Sequence, residues 1–131
     1  SSHFVAAAIR KISEAEDSVE FWGTGEPKRQ QLFVDDLCRA IPLLLERHNT
    51  IDPIIVAPNE NLSISSMVWI IKSIIGSEAK ISFNRKLDGQ QRKDGSNKLF
   101  MSLCPEFEFT SFTEGLNITY DWYKTSVHNR D

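Results

Sequence analysis

The chain has 131 residues, of which 40% are hydrophobic and 25% charged, and its net charge is −3. That length suits a single domain over residues 1–131 with a true core, and the composition excludes a disordered chain. The charge excludes attraction of the whole chain to nucleic acid or to an anionic membrane, so a polyanionic ligand needs a local basic patch.

Phe4, Val5, Ala8, Ile9 and Ile12 recur at helical spacing and predict an amphipathic helix over residues 2–15. Residues 19–22 read as a strand, then a Gly-Thr-Gly turn at Gly23–Gly25, then a second strand over residues 32–34. Asp35 or Asp36 is expected to cap a helix over residues 36–48, in which Pro42 marks a kink or the first turns. Residues 54–56 read as a buried strand and Pro58 to Asn61 as a loop. Ser63 is placed to cap a helix over residues 64–75 that Gly76 ends. Residues 81–83 read as a short strand and residues 84–95 as a polar loop. Ser96 opens a short helix to about Leu103, and Ser111 with Glu114 has the form of a capping box before a last helix. The polar tail, residues 124–131, is expected to fray. Strands alternating with helices predict a small mixed α/β unit, a sheet of short strands with four to five helices.

No apolar run approaches the length of a membrane span, and no signal peptide is visible, which points to the cytoplasm. Cys38 and Cys104 read as reduced thiols. His3, His48 and His128 are too scattered for a metal cluster, so no metal site is expected.

The chemistry concentrates around the Gly-Thr-Gly turn. Its glycines allow positive φ and a close backbone approach, although a lone Gly-x-Gly is more often a plain turn. Trp22 offers a flat face to a sugar or base, although a strand tryptophan is more often core, and Arg29 a planar fork suited to a diphosphate, although an isolated Arg is more often a solvated surface residue. Asp88 could accept hydrogen bonds from a base or ribose, or merely shape an Asp-Gly turn. Lys11 is a possible second cation, with a surface role the commoner alternative, and His3 alone reads as a terminal residue. No nucleophile, base and orienting acid assemble from these residues. No Gly-rich phosphate loop leads from a strand into a helix, so the dinucleotide-binding half of a Rossmann enzyme is not expected within the chain.

These residues also carry a resemblance. Trp22-Gly-Thr-Gly through Asp36, Pro53-Ile54-Ile55, Lys86-Leu87-Asp88-Gly89-Gln90, Ser96-Asn97-Lys98-Leu99 and Pro105 through Thr110 follow one another as in the GDP-L-fucose synthase family. The chain resembles the C-terminal, substrate-binding portion of those extended short-chain dehydrogenase/reductases. The resemblance implies a parent enzyme that epimerises C3 and C5 of a GDP-4-keto-6-deoxymannose and reduces C4 with NADPH. It implies that His3 is the acid of the epimerisation and lies near the cofactor, and that Lys11, Trp22, Arg29 and Asp88 bind the GDP-sugar. It further implies a homodimer, with neither a nucleic-acid nor a membrane partner. The family's dinucleotide-binding glycines and its catalytic Ser, Cys, Tyr and Lys have no counterpart here, so the chain alone is expected to be inactive and to bind no NADPH. Gln31 and Ala57-Pro58-Asn59 depart from the family pattern, the latter in a loop expected to differ. The alternatives are a self-standing nucleotide-sugar or scaffold domain, and the same portion of another nucleotide-sugar epimerase. In the fragment reading Phe4, Val5, Ile9 and Phe21 are expected to be exposed.

Overall fold

The computed structural model describes residues 2–88, 92–93 and 95–128; for Ser2, His3, Arg92, Lys93 and His128 it describes the backbone alone. In chain order the elements are α1 (Ser2–Glu14), β1 (Ser18–Phe21), β2 (Lys28–Arg29), α2 (Val34–Arg47), β3 (Leu62–Ser63), α3 (Ile64–Ile75), β4 (Lys80–Phe83), β5 (Arg92–Lys93), α4 (Lys98–Leu103) and α5 (Phe112–His128). The mixed α/β reading therefore holds, with the strands divided between two small sheets.

β1 and β4 pair in parallel, with Ser18 opposite Lys80 and Phe21 opposite Phe83. In the second sheet β2 lies between antiparallel β3 and parallel β5. The helical stripe of α1 buries Val5, Ala8, Ile9 and Ile12 against Met67, Val68 and Ile71 of α3, Val19 and Phe21 of β1, and Phe112 and Leu116 of α5. A second cluster gathers Ala40 of α2, Phe100 of α4, Cys104 and Phe107. Burial of such aliphatic and aromatic side chains contributes about 1.5–3 kcal/mol apiece.

The caps of α3 form as expected. Ser63 accepts a hydrogen bond from the Ser66 N–H, and Gly76 adopts φ 76° with its N–H on the last carbonyls. The Gly-Thr-Gly segment completes this helix start: Ile64 N donates to the Pro27 carbonyl at 2.9 Å and Ser65 N to the Gly25 carbonyl at 2.8 Å. At α5 the Glu114 N–H donates to Ser111 Oγ at 3.2 Å, and Glu60 accepts the Phe112 N–H at 2.8 Å. The helix continues to His128, past the point where the polar tail begins.

Four expectations are corrected. Residues 32–34 are not a strand: the pairing partners lie beside Lys28–Arg29, and Val34 already opens α2. Phe33 is extended, and its side chain packs on α5, where a Cβ on Gly115 would stand 2.2 Å from the ring. Asp36 does not cap α2; it is buried inside the first turn. Among the described residues, 54–56 pair with no strand, and the neighbouring carbonyls of Ala57 and Pro58 are met instead by the side chains of Asn97 and Gln30, both at 2.8 Å. Part of the expected polar loop forms β5.

The expected exposure on α1 is also overturned, because α3 and α5 cover it: Val5, Ile9 and Phe21 are buried, and Phe4 packs against the same core. The exposed apolar stripe lies on α2, where Val34, Leu37, Ile41 and Leu45 follow at helical spacing. Pro42 sits within that helix on its exposed side. Both cysteines are free, Cys38 exposed and Cys104 buried.

Candidate functional site

β1 delivers Trp22 and the Gly-Thr-Gly turn to the end of the parallel strand pair, and β4 delivers the arm of residues 84–88 to the same end. The two are laced together. Asn84 N donates to the Phe21 carbonyl at 2.9 Å and Arg85 N to the Gly23 carbonyl at 2.8 Å. Asn84 Oδ1 accepts from Gly23 N at 2.9 Å and from Lys86 N at 3.0 Å, an Asx turn that also grips the facing segment. Arg85 holds a positive φ of 59°, unusual for a non-glycine residue.

Trp22 is 65% exposed, yet its ring is fixed: Nε1 donates to the Leu87 carbonyl at 3.1 Å, and Lys86 Nζ lies 5.1 Å from the ring centroid. Asp88 accepts twice from Thr24, at Oδ1 from the backbone N–H at 2.9 Å and at Oδ2 from the hydroxyl at 2.6 Å. The Thr24 hydroxyl and N–H hold the Asp88 carboxyl below the usual carboxylate range; partial burial opposes them, and the charges of Arg85 and Arg29 add to the lowering. Gly23 adopts φ 89°, and a Cβ there would stand 2.2 Å from Asp88 Oδ1, so conformation and space both require glycine.

The charges of Arg85 and Arg29 act at this point. Arg29, whose Nη1 donates to the Lys28 carbonyl at 2.7 Å, acts electrostatically on Asp88. The register sets Lys28 beside Arg92 and Arg29 beside Lys93. With Arg85 and Lys86 on the arm, an acidic chain thus gains a local basic patch beside an exposed indole and an ionised carboxylate. Such a surface suits an anionic, ring-bearing ligand.

The structure therefore brings Trp22, Arg29 and Asp88 together. Lys11 is placed otherwise: Nζ donates to the Glu20 carbonyl at 2.8 Å and lies 4.7 Å from the Phe21 ring centroid. His3 stands in the first turn of α1, and its side chain lies outside the described residues. Sequence reasoning missed Thr24, Asn84, Arg85 and Lys86. An Asn directly after a strand was a readable Asx signal, whereas Thr24 meets Asp88 across 64 positions.

The turn does not suit a dinucleotide. It runs into β2 rather than a helix, and the N–H groups of Ile64, Ser65 and Ser66 at the start of α3 are already engaged. Among the described residues, no group of three or more His, Cys, Asp or Glu could hold a metal ion, and no helix is long and apolar enough to cross a membrane.

Comparison with known proteins gives this arrangement a context. The NAD dependent epimerase/dehydratase family matches residues 1–57. GDP-L-fucose synthase 1 of Arabidopsis thaliana is 34% identical over 98% of this chain and 41% of its own length. A GDP-L-fucose synthetase of Naegleria fowleri superposes with a TM-score of 0.89 at 26% identity, covering 96% of this chain and 40% of that one. The chain matches the C-terminal portion of the extended short-chain dehydrogenase/reductases. This C-terminal portion spans about two fifths of the relatives it matches, 41% of the Arabidopsis protein. The small sheets and five helices of its described residues belong to that fold. A second structure of the Naegleria protein, bound to NADP, aligns with a TM-score of 0.85 at 25% identity, over 95% of this chain and 40% of that one.

Proposed function

We propose that this chain is the GDP-sugar-binding part of a GDP-L-fucose synthase. The parent enzyme would convert GDP-4-keto-6-deoxymannose to GDP-L-fucose by epimerisation at C3 and C5 and NADPH-dependent reduction at C4. The observation that carries the reading is the laced turn. It presents Trp22, Arg29 and Asp88 within one basic patch, in a chain 34% identical to an enzyme of that name. Arg29 and the neighbouring basic positions would answer the diphosphate. Trp22 would give the base or sugar a fixed flat face, and Asp88 would accept from hydroxyl or amine donors. Lys11 of α1 donates to the Glu20 carbonyl of β1 and would add charge only by leaving it. His3 would serve as proton donor of the epimerisation steps.

Catalysis would need groups beyond these residues, so the chain alone would bind a GDP-sugar without turning it over. NADPH would be held by the rest of the parent enzyme, a cytoplasmic homodimer. The bare apolar stripe of α2 supports this reading, since such a face is ordinarily covered.

Calorimetric titration with GDP-mannose tests it. The reading expects binding that Trp22→Ala and Arg29→Ala each weaken about tenfold. Equal affinity for GDP- and UDP-sugars would favour another nucleotide-sugar epimerase, and no binding of either would overturn the reading.

A further inference from the structure

We propose that Thr24 is a positioning residue that latches the Asp88 carboxylate for the nucleotide ligand. The inference rests on the GDP-sugar reading and adds a residue to it. Three observations converge on Thr24. Its N–H and its hydroxyl each take one oxygen of Asp88, at 2.9 Å and 2.6 Å, so the carboxylate can neither rotate nor swing away without breaking a bond. The Glu26 N–H donates to Thr24 Oγ1 at 3.1 Å, which occupies the hydroxyl as an acceptor and turns its one proton toward Asp88 Oδ2. Gly23 leaves the space that Asp88 Oδ1 needs.

A carboxylate accepts about four hydrogen bonds. Thr24 uses one position on each oxygen, and among the described residues the others are left for a ligand with two neighbouring donors. The latch also fixes the two segments to each other, because Trp22 and Arg29 flank the turn while Lys86 and Asp88 belong to the arm. A ligand that meets all four therefore loses less conformational entropy on binding than it would with a loose arm.

The test compares the wild-type chain with Thr24→Val, Thr24→Ser and Asp88→Asn, using GDP as the probe and NMR to follow the Asp88 carboxyl. Thr24→Val should weaken GDP about tenfold, and Thr24→Ser should restore binding. Asp88 should titrate at a higher pH in Thr24→Val and return in Thr24→Ser. In the Asp88→Asn background Thr24→Val should add nothing further to the loss. Thr24→Ala gives the same reading if Thr24→Val does not fold. The latch is overturned if Thr24→Val leaves the Asp88 titration unchanged, or if it weakens GDP as much beside Asp88→Asn as alone. If the wild type binds no GDP, the GDP-sugar reading fails by itself, and the Asp88 titration still decides the latch.

Discussion

Asp36 holds Thr110 by both of that residue's donors: the N–H reaches Oδ2 at 2.8 Å and the hydroxyl reaches Oδ1 at 2.6 Å. Arg39 completes the set at 2.7 Å and also donates to the Glu108 carbonyl at 2.9 Å. The carboxylate thus pins the segment between α4 and α5 onto α2. Removing it strands the part-buried donors of Thr110 and leaves Arg39 without its carboxylate. Asp36→Ala should cost about 3 kcal/mol, read as a lower urea midpoint with an unchanged slope, and Asp36→Asn should cost less. An Asp36→Ala midpoint equal to wild type would refute this role.

The same residue predicts an acid limb. Burial alone would raise the Asp36 carboxyl, but the Thr110 hydroxyl and N–H, with Arg39, outweigh it and hold the group below its ordinary value. A carboxyl whose folded value is depressed stabilises the fold above its unfolded value, near pH 3.9, and loses that contribution as pH falls through the folded value. Wild-type stability should therefore drop more steeply below about pH 4 than that of Asp36→Asn. Urea midpoints measured across that range check it; parallel profiles for the two proteins would contradict it.

Gly23 is the most constrained position of the turn. Gly23→Ala places a Cβ 2.2 Å from Asp88 Oδ1 at a φ of 89°. The left-handed conformation alone costs about 1–2 kcal/mol, and relief of the clash must displace Asp88. The expected outcome is a lower melting temperature together with loss of GDP binding. Binding at wild-type affinity in this variant would show that Asp88 is not needed where it stands.

The stripe on α2 predicts behaviour rather than stability. Leu45 is 80% exposed and Val34 69%, so Leu45→Lys and Val34→Lys should shift stability by no more than about 0.5 kcal/mol. They should also reduce self-association of the concentrated chain in sedimentation velocity. A large loss of stability would mean the stripe is packed within the chain.

The helices were legible because their information is local. The spacing of Val5, Ile9 and Ile12, the Ser63 cap and the Gly76 stop each act within a few residues. The two-residue strands were not legible, since Lys28–Arg29 exists as a strand only through Leu62–Ser63 and Arg92–Lys93. Apolar runs at residues 32–34 and 54–56 imitate strands, but Phe33, Ile54 and Val56 pack into the two core clusters, and among the described residues neither run pairs with a strand. Trp22, Arg29 and Asp88 could be named from the sequence, and the structure gathers them at one strand end. Most of their support could not: Arg85 and Lys86 look like an ordinary solvated loop until β4 lays them across the turn, although Asn84 directly after a strand carried an Asx signal. Lys11 read as a surface residue or a possible second cation, and in the structure its Nζ meets the Glu20 carbonyl and the Phe21 ring.

The most direct measurement is a heteronuclear NMR titration of the chain with GDP, following the Trp22 indole N–H and the amides of Gly23, Thr24, Arg29 and Lys86. The account predicts saturable shifts at these positions, weaker with UDP. Saturation should leave Trp122 unmoved; that residue lines a separate cavity of about 620 Å³ formed by α1, residues 31–35 and α5. Shifts confined to that cavity, or none at millimolar GDP, would contradict the assignment of the Gly-Thr-Gly turn as the nucleotide site.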